Sequence, residues 1–166
     1  GGYIYVYTGL MKLLTTEDEL AGVMGHEIAH ADLRHSTEQL TKSYGIAFLL
    51  EVLLDGDPGL LADIAAALTN LSFSRSDESE ADAASVEYLC QTQYAADGAA
   101  GFFEKLEQLD SFELPEFFST HPSSDTRVMD IQDYAAILDT DGDGEPDCSL
   151  VHGSTADYEQ LLDSLP

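Results

Sequence analysis

The sequence is short of positive charge: six Lys and Arg stand against 32 Asp and Glu in 166 residues, a formal net charge of −26. A field of that sign repels phosphate backbones and anionic lipid headgroups, which excludes nucleic acid as an expected partner. Long hydrophobic runs are missing as well. The longest, Ile46 to Leu54, is interrupted by Glu51 and reaches less than half of the roughly 20 residues that a bilayer-spanning helix needs. No transmembrane segment is expected. The chain opens at Gly1 with neither an initiator Met nor the charged and apolar regions of a signal peptide, so a targeting segment or membrane anchor would have to precede it. Cysteine is scarce, with only Cys90 and Cys148. They make one pair at most: a disulfide closing a long loop, or two buried free thiols. Neither an internal repeat nor a flexible linker is visible.

What is present is enough for a core. Apolar residues make up 44% of the chain, and at a prior of roughly 150 residues per domain the expectation is a single domain over 1–166, with 138–166 as a C-terminal extension. Eight Tyr and seven Phe separate it from a disordered acidic tail. Tyr3 to Thr8 alternates β-branched and aromatic types and predicts a strand, either internal to a small sheet or offering its edge to an extended peptide. Thr16-Glu17-Asp18-Glu19 predicts a capping box that launches a helix to about His35. Further helices are expected over Glu38 to Leu54, from an Asp57 cap and Pro58 towards Leu71, over Ser76 to Gln91 and over Gly98 to Leu109. Two more follow: one from a Ser123 or Ser124 cap to Leu138, and one over Ser154 to Leu165. The apolar pair before Ser76 reads first as core packing. The predicted fold class is mainly α with a small β-sheet (α+β).

One helix carries chemistry. His26-Glu27-Ile28-Ala29-His30 is an HExxH motif, and residues four apart on a helix are offset by only about 40° and one turn, so both imidazoles can reach one ion. Glu27 then lies beside a metal rather than on it, where a carboxylate can take a proton from a water whose pKa zinc lowers. An ordinary surface helix with two histidines fits the motif too, so a third ligand decides. His35 is the tempting choice but is excluded by geometry, because five residues past His30 on this helix it points about 140° away. The spacing of metzincins is absent. Glu78 and Asp82 are better placed: four apart at the start of a predicted helix, one can bind zinc while the other takes the spare N–H of a ligand histidine. Asp77 and Glu80 read as solvated helix charge.

The blocks Gly2 to Leu10, Gly25-His26-Glu27-Ile28-Ala29-His30 with Arg34-His35, Ser74-Arg75 with Glu78-Ser79-Glu80-Ala81-Asp82, and His121-Pro122 with Arg127 follow one another in a familiar order. Together they resemble the zinc endopeptidase (gluzincin) family that includes the CAAX prenyl proteases, HtpX and the soluble BepA type. The resemblance implies a zinc-peptidase domain with His26, His30 and Glu78 as ligands, Asp82 as their partner and Glu27 as the base. It further implies that His121 can occupy the open position and hold the enzyme latent. Arg127 would orient groups or stabilise an oxyanion. Polypeptides are the implied substrates and envelope protein quality control the implied setting. Without the resemblance, His121 to Arg127 reads as a plain helix entry. A catalytically silent zinc-stabilised peptide-binding or chaperone-like module is the alternative, and Glu27 argues against it.

Asp139, Asp141, Asp143, Glu145 and Asp147 alternate along an acidic loop with Gly144 at its turn, resembling the calcium loops of thrombospondin-type and dockerin-type repeats. The twelfth position is Leu150, which cannot supply the bidentate carboxylate of an EF-hand. Calcium, in a calcium-organised surface module, and a solvated acidic turn both remain open. Weak calcium binding and a disulfide would each suit a periplasmic or extracellular address.

Overall fold

A computed structural model of the chain describes residues 4–55, 58–69, 72–108, 119–122 and 126–165. Among them the protein is helical. In order the helices are α1 (Thr8–Leu13), α2 (Glu17–Asp32), α3 (His35–Tyr44), α4 (Ile46–Asp55), α5 (Pro58–Thr69), α6 (Arg75–Cys90), α7 (Gly98–Gln108), α8 (Arg127–Ile137) and α9 (Ala156–Ser164).

The α+β expectation is therefore wrong: no strand or sheet is present among the described residues. Tyr3 lies outside them, residues 4–7 carry no regular structure, and Thr8 already opens α1. Tyr5 and Tyr7 are 86% and 75% exposed, so the alternation that reads as a half-buried strand buries almost nothing. An isolated extended segment has no ladder for its backbone groups and no face to pack. The edge that was to receive a peptide goes with it.

The helix boundaries follow local chemistry. At α2 the Thr16 hydroxyl accepts from Glu19 N (3.2 Å) and the Glu19 carboxylate accepts from Thr16 N (3.2 Å), forming the expected capping box. A second box opens α6, where Ser74 and Asp77 exchange the same bonds. Asp77 is thus a buried cap, and it also accepts from Gln39 Nε2 at 2.7 Å. The single helix expected over Glu38 to Leu54 is two, broken at Gly45 with φ 77°. Ile46, Leu50 and Leu54, one stripe of α4, are 67%, 51% and 85% exposed. That face of the pair is not core. The Asp57 and Ser123 or Ser124 caps lie outside the described residues, and α8 starts from Thr126.

α2 packs against α6 and α7, and α8 packs across both. The core holds Val23, Leu89, Phe102, Phe103, Leu106 and Ile131. Close approach depends on glycine. A Cβ on Gly22 would lie 2.1 Å from Ala99 N, and one on Gly98 2.1 Å from Asp18 O. Each glycine gives up about 1 kcal/mol of helix propensity relative to Ala, which helix–helix contact offsets.

The C-terminal extension closes the far end of this packing. Cys148 is disulfide-bonded to Cys90, the last residue of α6. Five residues on, Gly153 N donates to Asp18 Oδ2 (2.5 Å), and the Ser154 hydroxyl accepts from Glu17 N (3.0 Å). The extension therefore ties the C-terminus of α6 to the N-terminus of α2.

Gly22→Ala should destabilise the fold by about 3 kcal/mol or more, because backbone rather than a flexible side chain must move. Gly9→Ala, where nothing lies within 4 Å, should be neutral or slightly stabilising. Urea unfolding followed by circular dichroism checks both; a Gly22 variant as stable as native would refute the close-packing argument.

Candidate metal centre

α2 and α6 run antiparallel, as three contacts in register show. Ser85 Oγ donates to Gly22 O (3.0 Å), His26 Nδ1 meets Asp82 Oδ1 (2.9 Å), and His30 Nε2 faces Glu78 Oε1 (3.5 Å). A Cβ on Gly25 would come within 2.7 Å of Ser85 Oγ, so the small residue keeps the ladder tight. Two i, i+4 pairs, one of imidazoles and one of carboxylates, thereby face each other across the helix pair.

The structure brings His26, His30, Glu78 and His121 together, all buried, each offering a ligand atom within 4.8 Å of the others. His26 Nε2 is 3.0 Å from His30 Nε2 and 3.5 Å from Glu78 Oε2. His121 Nδ1 lies 3.0 Å from Glu78 Oε1 and 3.5 Å from His26 Nε2. Ligands at zinc's usual bond lengths in a tetrahedron stand roughly 3.3 Å apart. This donor set, two imidazoles and a carboxylate with a third imidazole at the remaining corner, fits zinc in both type and spacing.

The other ring nitrogens are occupied. His26 Nδ1 is held by Asp82, and His30 Nδ1 lies 2.9 Å from His35 Nδ1. Phe73 stacks on His30 with centroids 3.9 Å apart, and its N–H donates to Thr120 O (2.9 Å), which fixes His121 beside the cluster. Glu27 stays outside the ligand group, 39% exposed, with Oε1 3.5 Å from His121 Nε2.

Arg127 reaches in from the first turn of α8. Its Nε and Nη2 donate to the two oxygens of Asp82 at 2.6 and 2.8 Å, and Nη1 pairs with Glu78 Oε2 at 2.8 Å. The guanidinium lies 3.8 Å from the centre of the Phe103 ring, a cation–π contact. A cavity of about 410 Å³ beside it is lined by Glu78, Asp82, Arg127, Ile131 and Tyr134 among others.

Burial alone would raise the pKa of Glu78, but contacts with His121, His26 and His30 outweigh it and hold the carboxyl well below its ordinary range. For His26 burial acts to lower the pKa, and the bonds to Asp82 and Glu78 overcome it, leaving a raised value. His30 is lowered, chiefly by burial. These directions describe a carboxylate that stays ionised among imidazoles, as a metal ligand must.

Sequence reasoning missed three neighbours. His35 is set aside on the premise of a continuing helix, yet α2 stops at Asp32 and Arg34 takes a left-handed conformation (φ 61°, ψ 28°) that returns His35 to His30. It is not one of the clustered ligand groups. Only the positive φ of Arg34 would have betrayed the turn, and a non-glycine residue gives no such signal in sequence. Phe73 and Phe103 look like ordinary core aromatics. In the acidic loop, one oxygen each of Asp139, Asp141 and Asp147 cluster, whereas Asp143 and Glu145 stand outside the group. The loop's own amides use the carboxylates, with Gly142 N and Gly144 N on Asp139 and Thr140 N on Asp147.

Comparison with known proteins agrees with this geometry, since the sequence model of peptidase family M48 matches residues 1–135. The chain belongs to peptidase family M48. The match includes both ligand-bearing helices and Arg127, and residues 136–166 lie outside it. M48 relatives include the metalloprotease YcaL of Escherichia coli, 34% identical over 81% of this chain and 56% of its own length. The mitochondrial metalloendopeptidase OMA1 of Arabidopsis thaliana is 38% identical over 76% of this chain and 26% of its own. A putative beta-barrel assembly-enhancing protease of Vibrio cholerae is 32% identical over 81% and 31%. The chain thus spans about half or less of the length of these relatives.

Arg127→Ala should cost about 3–5 kcal/mol in the metal-free protein, because two buried carboxylates lose their guanidinium. Arg127→Lys should recover only part, since one ammonium cannot match a fork that holds three oxygens. Urea midpoints check this; a loss below about 1 kcal/mol, the size of a surface pair, would overturn it.

Proposed function

We propose that the chain is the catalytic domain of a zinc metalloendopeptidase that hydrolyses internal peptide bonds of polypeptide substrates and is latent while His121 fills the fourth corner. The observation that carries this reading is the convergence of His26, His30 and Glu78 from two helices, with Glu27 beside the cluster but outside it. A zinc ion held by those three residues would supply Lewis acidity, lowering the pKa of a water and polarising a scissile carbonyl. Glu27 takes the water's proton and delivers it to the leaving amine, the work of a partly exposed carboxylate one residue along the helix from a ligand. Asp82 holds His26 in the tautomer that turns Nε2 inward. Arg127 holds both oxygens of Asp82 and one of Glu78 in place. His121, on the segment joined to Phe73, must withdraw for a substrate to enter, and the cavity by Arg127 offers room for a substrate side chain.

The setting we propose is envelope protein quality control at a periplasmic or extracellular address. The Cys90–Cys148 disulfide supports it, because such bonds persist in oxidising compartments. The beta-barrel assembly role in the name of the Vibrio cholerae relative also supports it. Among the described residues no helix is long and apolar enough to cross a membrane. Calcium has no part in the chemistry proposed.

Casein cleavage with a chelator control tests the reading. Glu27→Gln should retain zinc and lose about 10²–10⁴-fold in rate, the usual worth of a general base. A variant that cleaves like native would mean that hydrolysis does not run through this centre. Native chain that binds zinc yet cleaves nothing would favour the silent module. His121→Ala should be several-fold faster than native; unchanged or slower turnover discards the latch.

A further inference from the structure

His35 is 2% exposed and carries no role in the reaction described above. Its Nδ1 lies 2.9 Å from His30 Nδ1, so a single proton is shared between the two nitrogens. Its other nitrogen, Nε2, is buried without a hydrogen-bond partner and stands 3.6 Å from Glu80 Oε2. A histidine that binds a metal through Nε2 carries its proton on Nδ1. That requirement settles the rest of the chain of contacts. With the proton on His30 Nδ1, His35 Nδ1 must accept, which puts the proton of neutral His35 on Nε2, facing the Glu80 carboxylate.

We infer that His35 is the positioning residue for the His30 ligand, fixing its tautomer and ring orientation and relaying them to the Glu80 carboxylate. The inference rests on the zinc reading above and extends it to residues that reading leaves idle. It also makes the two ligand histidines equivalent in kind. Asp82 holds His26 directly through Nδ1, at 2.9 Å. On α2's last turn no carboxylate of α6 reaches His30 Nδ1 in the same way, and an intervening imidazole spans the gap. The left-handed Arg34 is the local cost of bringing it there: one non-glycine residue at φ 61° turns the chain back so that the first residue of α3 faces the preceding helix. Glu80 is 63% exposed, so its contribution is the smaller one.

Zinc affinity by competition with a chromogenic chelator, together with long-range ¹H–¹⁵N imidazole correlations on the zinc-loaded native chain, tests the inference. Native chain that fails to take up zinc refutes the zinc reading, and with it the basis of this one. If native chain binds zinc, the spectra should show His30 protonated on Nδ1 and His35 on Nε2. A His35 protonated on Nδ1 overturns the inference with no substitution needed. His35→Leu should weaken zinc binding roughly 10–100-fold, the usual effect of losing a ligand's outer partner. His35→Asn, whose Oδ1 stands near the place of Nδ1, should restore most of it. Leu within twofold of native, or Asn no better than Leu, overturns the assignment. Should the Leu variant not fold, the Asn variant and the native tautomers decide. Glu80→Gln should shift affinity by a few-fold at most.

Discussion

Two carboxylates on one helix face, Glu78 and Asp82, are each under a tenth exposed, and the architecture around them is a response to that burial. An ion moved out of water is unfavourable by several kcal/mol unless charge and hydrogen bonds replace its hydration. Among the described residues the permanent cation that meets them is Arg127, which spends Nε and Nη2 on Asp82 and Nη1 on Glu78. One guanidinium against two carboxylates leaves the centre a positive charge short. The imidazoles supply part of the deficit in the metal-free chain, which is why His26 is drawn towards protonation despite its burial. On the proposed reading, a divalent cation would more than make it up and would let the imidazoles act as neutral ligands. On that reading, stability and metal binding would trace to the same imbalance.

The elements that do not touch the centre set how closely its halves approach. Gly25 and Ser85 let α2 and α6 pack tightly, and Gly22 lets α7 approach α2, so that side chains only one or two turns away meet at bonding distance. The extension acts at the opposite end. A crosslink between residues separated by 58 positions removes about 4 kcal/mol of loop-closure entropy from the unfolded chain. The bonds of Gly153 and Ser154 to the first turn of α2 pass that restraint to the second ligand-bearing helix. The pair is therefore fixed far from the His26, His30 and Glu78 cluster, and that end is completed by the short segment carrying His121.

Much of the centre is legible in sequence because it is written in helical spacing. His26 with His30 and Glu78 with Asp82 are each four apart, and helix geometry alone puts each pair on one face. The capping boxes at Thr16 and Ser74 are equally local. What is hidden involves a change of direction. His35 looks remote because the turn at Arg34 has no glycine to announce it. Arg127 can be matched to a motif, but its partners lie 45 and 49 residues back in another helix, a distance that no periodicity spans. The strand over Tyr3 to Thr8 fails for a related reason. Alternation shows that a segment would suit a sheet, whereas forming one needs a neighbour elsewhere in the chain.

The overall charge and the centre's chemistry act on different scales. In 0.1 M salt the field of a surface carboxylate is largely screened within about 10 Å, so most of the −26 surplus shapes encounter with other molecules rather than affinity at the metal ligands. Inside, the contacts are 2.6 to 3.5 Å long and shielded from salt, so the balance between Arg127, Glu78 and Asp82 outweighs the more numerous acids outside. Raising the salt concentration should therefore change how often cationic partners arrive while leaving the interior arrangement intact. Only a change to a side chain in direct contact with the carboxylate pair alters the deficit that a metal ion would fill on the proposed reading.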